Sequence, residues 1–215
     1  SMIPQAHRDF LEDLLRRYEV PPLPDTDRRT GEGSKRAAPM TLQQASGLLD
    51  VAFSHPISLI ANALGPPPPE MLEQARERGV KVAALAGKKS HAVRHVAAGV
   101  DLIIAQGYEA GGHTGDISTM VLVPEVVDAV APVPVLAAGG IGRGRQLAAA
   151  LALGAEGVWC GSIWLTTEEA ETHPTVKQKF LAATSSDTLR SRSRTGKPAR
   201  QLRSAWTDEI GRAHV

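Results

Sequence analysis

The chain has 215 residues, of which 42% are hydrophobic and 22% charged, with a formal net charge of +1. That is an ordinary globular composition, too balanced to attract nucleic acid or an anionic membrane through a global field. The single cysteine, Cys160, excludes a disulfide framework and points to a reducing cytoplasm, and neither a membrane-spanning run nor a signal pattern is present. Ser1 and Met2 at one end, and "IGRAHV" at 210–215, read as non-native and are set aside.

In chain order, "HRDFLEDLLRRY" (7–18) places Phe10, Leu11, Leu14, Leu15 and Tyr18 on one helical face. Residues 21–39 lack periodicity and are rich in turn formers, which predicts a loop or linker. A second helix is expected after Thr41 as N-cap, burying Leu42, Ala45, Leu48, Leu49 and Phe53. From residue 56 the pattern changes and repeats. "ISLIANAL" (57–64), "VKVAALAG" (80–87), "VDLIIAQG" (100–107), "PVPVLAAGG" (132–140) and "GVWCGS" (157–162) read as strands. Their apolar runs are nearly continuous, so both faces are buried. Between them lie "EMLEQARER", stopped by Gly79 in a C′ position, "HAVRHVAA", capped by Ser90, and "RQLAAALAL", closed by Gly154. This alternation predicts right-handed βαβ units on a parallel sheet. Five strands do not close a (β/α)8 barrel, so a barrel reading makes the chain a fragment that lacks the opening strands.

Three stretches carry candidate chemistry. "AAGGIGRG" (137–144) fails the dinucleotide fingerprint because Arg145 stands where the third glycine belongs. What remains is the pair Gly139-Gly140 between a strand and a helix, with Gly161 and Ser162 one βα unit later. Two neighbouring strands ending in such cradles match the phosphate site of barrels. In "LIIAQGYEAGGHTGD" (102–116), Gly111, Gly112 and Gly115 surround His113 just beyond the C-terminal end of a buried strand. Parallel α/β folds carry their sites on that face, and a neutral imidazole suits proton removal near pH 7. Glu109, four residues upstream, could orient the imidazole or form a salt bridge elsewhere.

"AQGYEAGGHTGD" followed by "PVLAAGGIGRGRQLAAALALGAEGVWCGS" resembles the FMN-dependent nitronate monooxygenases, formerly called 2-nitropropane dioxygenases. The likeness runs over 56–207 and includes "LIANALGPPP" and "TGKPARQLRSAWTD". It implies a TIM-type (β/α)8 barrel, incomplete here: 1–55 as helices and loop between barrel strands, 56–209 as about five C-terminal βα units, and 210–215 as the tail. It also implies a cytoplasmic FMN oxidoreductase that converts alkyl nitronates or nitroalkanes with O2 to a carbonyl compound and nitrite. In it Gly139, Gly140, Gly161 and Ser162 hold the FMN phosphate, Gln106 hydrogen-bonds the flavin ring system, Gly111 and Gly112 pass beside it, and His113 is the catalytic base. The family's opening strands carry flavin contacts and are missing here, so the resemblance is to an N-terminally truncated member whose own FMN binding and activity stay open. Oligomerisation also stays open. Two alternatives stand: an FMN-dependent enoyl-acyl-carrier-protein reductase, and a non-catalytic fragment that binds a phosphate ligand.

Other signals read more plainly. His91 and His95 are four apart on one helix but have no third ligand, so no metal is expected and they belong to a solvated helix face. The basic run 190–203 has no interleaved aromatics for nucleic acid, and under the resemblance is a loop at the site mouth, with Lys197 and Arg200 as candidate anion contacts. Cys160 is expected as an inert buried thiol in a strand. Asn62, at a strand end, is a candidate substrate contact, although asparagine there more often starts a turn.

Overall fold

The computed structural model describes residues 5–21, 42–192 and 196–212. Residues 1–2, most of the expected linker, the Thr41 cap and residues 213–215 lie outside the described residues. The chain divides into two compact units, 1–50 and 51–215. In the first, α1 (Gln5–Arg17) buries Leu14, leaves Phe10 and Leu15 half-buried, and exposes Leu11 and Tyr18. The covered stripe is therefore narrower than the periodicity predicts. The following helix, α2 (Leu42–Phe53), crosses the unit boundary, and its Leu48 is exposed where burial was expected.

The second unit is built on a parallel sheet of β1 (Leu59–Asn62), β2 (Lys81–Ala86), β3 (Leu102–Gln106), β5 (Val135–Ala138) and β6 (Gly157–Trp159). The intervening β4 (Gly112–His113) belongs to a separate sheet. Strands stand in the order β1-β2-β3-β5-β6, each parallel to its neighbour, so every new strand is laid beside the last and the winding never reverses. A doubly wound sheet has a switch point; this one has none. It is an arc of a TIM-type barrel wall.

Register explains the continuous apolar runs. Val82, Ala84, Ala86, Ile103, Ala105, Val135 and Ala137 fall on one face and are buried. The helices α3 (Pro69–Glu77), α4 (Lys89–Ala97), α5 (Thr119–Val130) and α6 (Gly144–Ala152) connect the strands, and α4 and α5 pack against β2, β3 and β5. The opposite face carries Ala83, Ile104 and Ala138 with the half-buried Leu59, Leu85, Leu102 and Leu136. In a barrel that face looks inward.

Two local expectations change. The cap of α4 is Lys88, and Ser90 lies inside the first turn without a capping bond. The helix α5 has no clear signal in the sequence, because its "TMVLVPEVVDAV" mixes an apolar run with an internal Pro124. Leu122, Val123, Val126 and Val130 bury its inner face, each worth about 1.5–3 kcal/mol when removed from water. Among the described residues no helix is long and apolar enough to cross a membrane.

Candidate functional site

Three strand ends, those of β3, β5 and β6, deliver the predicted residues to one place. Gln106 closes β3 and lies in register with Ala138, on the inward-looking row that also holds Ile104 and Leu136. Gly139 and Gly140 follow β5, and Gly161 and Ser162 follow β6. The loop after β3 crosses between them: a Cβ on Gly111 would stand 2.6 Å from Ser162 Oγ, and one on Gly140 would stand 3.1 Å from Glu109 Cβ. The histidine loop and both glycine sites are therefore one cluster, exposed or half-buried at its Gln106, His113, Gly140 and Ser162 positions.

Protein packing uses some of the space that the glycines were expected to leave for a ligand. Gly139 has a φ of +118°, and a Cβ there would meet Thr119 Oγ1 at 2.7 Å and the Gly107 carbonyl oxygen at 3.2 Å. A Cβ on Gly115 would stand 2.7 Å from the Gly87 carbonyl oxygen, so that glycine admits the loop after β2. Gly112 and Gly161 face open space.

Thr119 and Gln146, which help to build the site, carry no obvious sequence signal. Glu109 does not serve as a free arm: its Oε2 accepts from the backbone N–H of Thr119 at 2.9 Å and from Thr119 Oγ1 at 2.7 Å. Thr119 Oγ1 also lies 3.2 Å from the Gly139 carbonyl oxygen, so the first turn of α5 ties the loop to the end of β5. Partial burial pushes the Glu109 carboxyl up, but the two Thr119 bonds and the charge of Arg200 outweigh it and hold it below the usual glutamate value. A helix N-terminus suits that anion. Beyond β5, Gln146 Oε1 accepts from Gly142 N at 2.9 Å and Arg143 N at 3.0 Å, while its Nε2 donates to the Gly140 carbonyl oxygen at 2.7 Å. The N–H groups just after the expected cradle, those of Gly142 and Arg143, are thus already satisfied by a side chain. The N–H groups of Gly140, Gly161 and Ser162 donate to no protein acceptor among the described residues.

His113 is exposed and sits in β4, which pairs antiparallel with β8 (Ala199–Leu202) in the registers Gly112↔Arg200 and His113↔Ala199. β8 pairs in turn with β7 (Thr188–Ser191). The basic run is therefore a hairpin laid along the histidine loop, not the loop that was expected. Arg200 is engaged within the protein: Nε donates to the Tyr108 carbonyl oxygen at 3.3 Å and Nη1 to Thr188 Oγ1 at 3.1 Å.

Asn62 is not brought to the cluster. It lies two strands from Gln106, in register with Ala84 on the helix-facing row, and its Nδ2 donates to the Gly65 carbonyl oxygen at 2.8 Å. That is turn chemistry. His95 also departs from expectation: it is 2% exposed rather than solvated, with Nε2 donating to the Leu85 carbonyl oxygen at 3.1 Å and Nδ1 without a partner. Cys160 is half-buried and lies one residue past β6, its carbonyl oxygen accepting from Trp164 Nε1 at 2.8 Å.

The sequence profile described as NMO, nitronate monooxygenase, matches residues 29–215. The chain belongs to the nitronate monooxygenase family. It is 68% identical over 212 residues to a Mycobacterium tuberculosis protein described as a monooxygenase, covering 99% of this chain and 56% of that one. A solved nitroalkane oxidase from Streptomyces ansochromogenes superposes with a TM-score of 0.71 at 34% identity, covering 79% of this chain and 52% of the other. The solved FabK of Thermotoga maritima gives a TM-score of 0.71 at 36% identity, covering 79% and 54%. The chain thus spans about half the length of the relatives it matches. Family membership makes it kin to oxidoreductases on TIM-type barrels.

Proposed function

We propose that this chain supplies the flavin-phosphate and base side of an FMN-dependent enzyme that oxidises alkyl nitronates, and nitroalkanes after deprotonation, with O2 to a carbonyl compound and nitrite. The observation that supports it is the meeting of the histidine loop with both glycine sites, where Gly111 abuts Ser162. The residues fit the cofactor. The unmatched N–H groups of Gly140, Gly161 and Ser162 lie just past the ends of the neighbouring strands β5 and β6, and at Gly161 the absence of a Cβ leaves open space for an anion. Gln106, at the inward end of β3, would hydrogen-bond the ring system, and Gly112, open to solvent, would pass beside it. When bound, FMN supplies the two-electron chemistry and the reaction with O2.

The chain's own part in the reaction is proton removal and orientation. The imidazole of His113 takes the proton from the carbon bearing the nitro group, whose oxygens receive the electron pair that the C–H bond releases. Glu109 and Thr119 hold the root of the loop that presents this base. A preformed nitronate has already lost that proton.

The test compares the two substrates in FMN-loaded protein. His113→Asn should lower nitrite release from a nitroalkane by about 10²–10⁴-fold, the usual contribution of a general base, while nitronate turnover keeps far more of its rate. Equal losses on both substrates would assign His113 to binding instead. Fast NADH oxidation with a crotonyl thioester, and no nitrite from nitronates, would establish an enoyl reductase.

A further inference from the structure

The register of the C-terminal hairpin sets Arg190 on β7 directly opposite Arg200 on β8. Like charges facing one another across two strands repel, so the arrangement needs a counterpart. The structure supplies it from the histidine loop. The Tyr108 ring centroid lies 5.0 Å from Arg190 Cζ and 4.7 Å from Arg200 Cζ, so one aromatic face system receives both guanidiniums.

Arg190 then spends its donors around His113. Its Nε donates to Thr114 Oγ1 at 3.0 Å, its Nη2 to the Thr114 carbonyl oxygen at 3.0 Å, and its Nη1 pairs with Asp116 Oδ1 at 2.7 Å. Its side chain is only 16% exposed, although Asp116, the ionic partner, is 86% exposed, so the Thr114 and Tyr108 contacts are the sheltered ones. All these Arg190 contacts fall on residues 108, 114 and 116, on both sides of the imidazole. The loop's own pairing is slight: β4 has two residues, one of them Gly112, with Gly111 just before it and Gly115 two residues after it. So glycine-rich a segment loses much conformational freedom when ordered, and a two-residue ladder alone does little to hold it.

We propose that Arg190 is a positioning residue for His113: through Thr114, Asp116 and Tyr108 it locks the loop so that the imidazole is presented in one pose. This rests on the reading of His113 as the base. A lysine keeps the charge but has neither the planar fork that engages Thr114 and Asp116 together nor a flat face to lay on the Tyr108 ring.

The experiment uses FMN-loaded protein carrying Arg190→Lys, His113→Asn, or both, assayed on a nitroalkane and on its nitronate. Nitrogen-15 spectra of the histidine imidazoles are recorded in parallel, with His113 identified by its loss in His113→Asn. Arg190→Lys should cut kcat on the nitroalkane by about tenfold or more, the scale of one lost charged hydrogen bond, with KM and nitronate turnover little changed. It should shift or broaden the His113 signals while leaving in place those of the buried His95, which none of the Arg190 contacts touches. Added to His113→Asn, it should cause no further loss on the nitroalkane, because it acts through a base that is already gone. Thr114→Val, which removes one of the three contacts and no charge, should move the same signals by less, and stands in if Arg190→Lys folds poorly. Unchanged His113 signals, equal loss on both substrates with His113 intact, or additive losses in the double variant would each overturn the proposal. If His113→Asn alone depresses both substrates equally, the base assignment fails, and the imidazole signals still decide whether Arg190 fixes the residue.

Discussion

Replacing Gly139 with alanine tests whether that glycine serves the fold or the ligand. Its φ of +118° is a conformation that side chains rarely adopt, and forcing one into it costs about 1–3 kcal/mol. The new Cβ would also stand 2.7 Å from Thr119 Oγ1, 3.2 Å from the Gly107 carbonyl oxygen and 3.3 Å from Ala110 N. Thr119 cannot swing aside without giving up its 2.7 Å bond to Glu109, and the other two neighbours are backbone. Overpacking of this kind adds about 1–3 kcal/mol. The sum is roughly 2–6 kcal/mol, and at about 2–4 °C per kcal/mol the melting temperature should fall by roughly 4–24 °C. Circular dichroism melts with and without FMN make the measurement. The control is Gly161→Ala, at φ −117° with no atom within 4 Å of the added Cβ. It should melt within about 2 °C of the parent, as surface substitutions do, yet bind FMN about tenfold more weakly if the phosphate sits against this backbone, where the added Cβ crowds its approach. A Gly139→Ala protein that melts with the parent would refute the packing argument. A Gly161→Ala protein that loses stability as Gly139→Ala does would refute the division between the two glycines.

Glu109→Gln should destabilise the loop, and the effect should be pH-dependent. The folded carboxyl sits below its ordinary value of 4.5, so its contribution is fully present above that pH and is lost as pH falls through the lowered folded value. Melts of parent and variant should therefore converge in acid, and a constant gap from pH 7 to the acid limit would contradict this. His95 predicts a second acid sensitivity. Burial lowers its pKa below 6.5, with the Leu85 bond opposing and Arg94 adding to the lowering, so the unfolded chain takes up a proton first as pH drops beneath 6.5. Stability should fall from there toward the lowered folded value, and less steeply in His95→Gln, which keeps a donor for the Leu85 carbonyl. An unchanged slope in His95→Gln would remove His95 from the explanation.

Much of this protein was legible in its sequence because the signals were local. Nearly continuous apolar strands of three to six residues, punctuated by Gly79, Gly99 and Gly154 at positive φ, marked the βαβ repeat, and the histidine loop and paired glycines stood at the ends of those runs. What lay hidden depends on residues far apart in the chain. Asn62 read as a site candidate because a strand end looks the same from either face, whereas register with Ala84 and the bond to Gly65 fix which side it serves. His95 read as solvated because helical periodicity does not say which stripe meets the sheet. The basic run read as loop because Arg190 and Arg200 look like solvated charge until the hairpin brings them to Tyr108, 82 and 92 positions earlier in the chain. Composition and spacing determined the class of fold and which strand ends carry the candidate residues. Only tertiary packing decided which glycines face protein and which face open space, and which charged side chains meet the histidine loop, because those choices turn on contacts between strand ends that adjoin only once the sheet has formed.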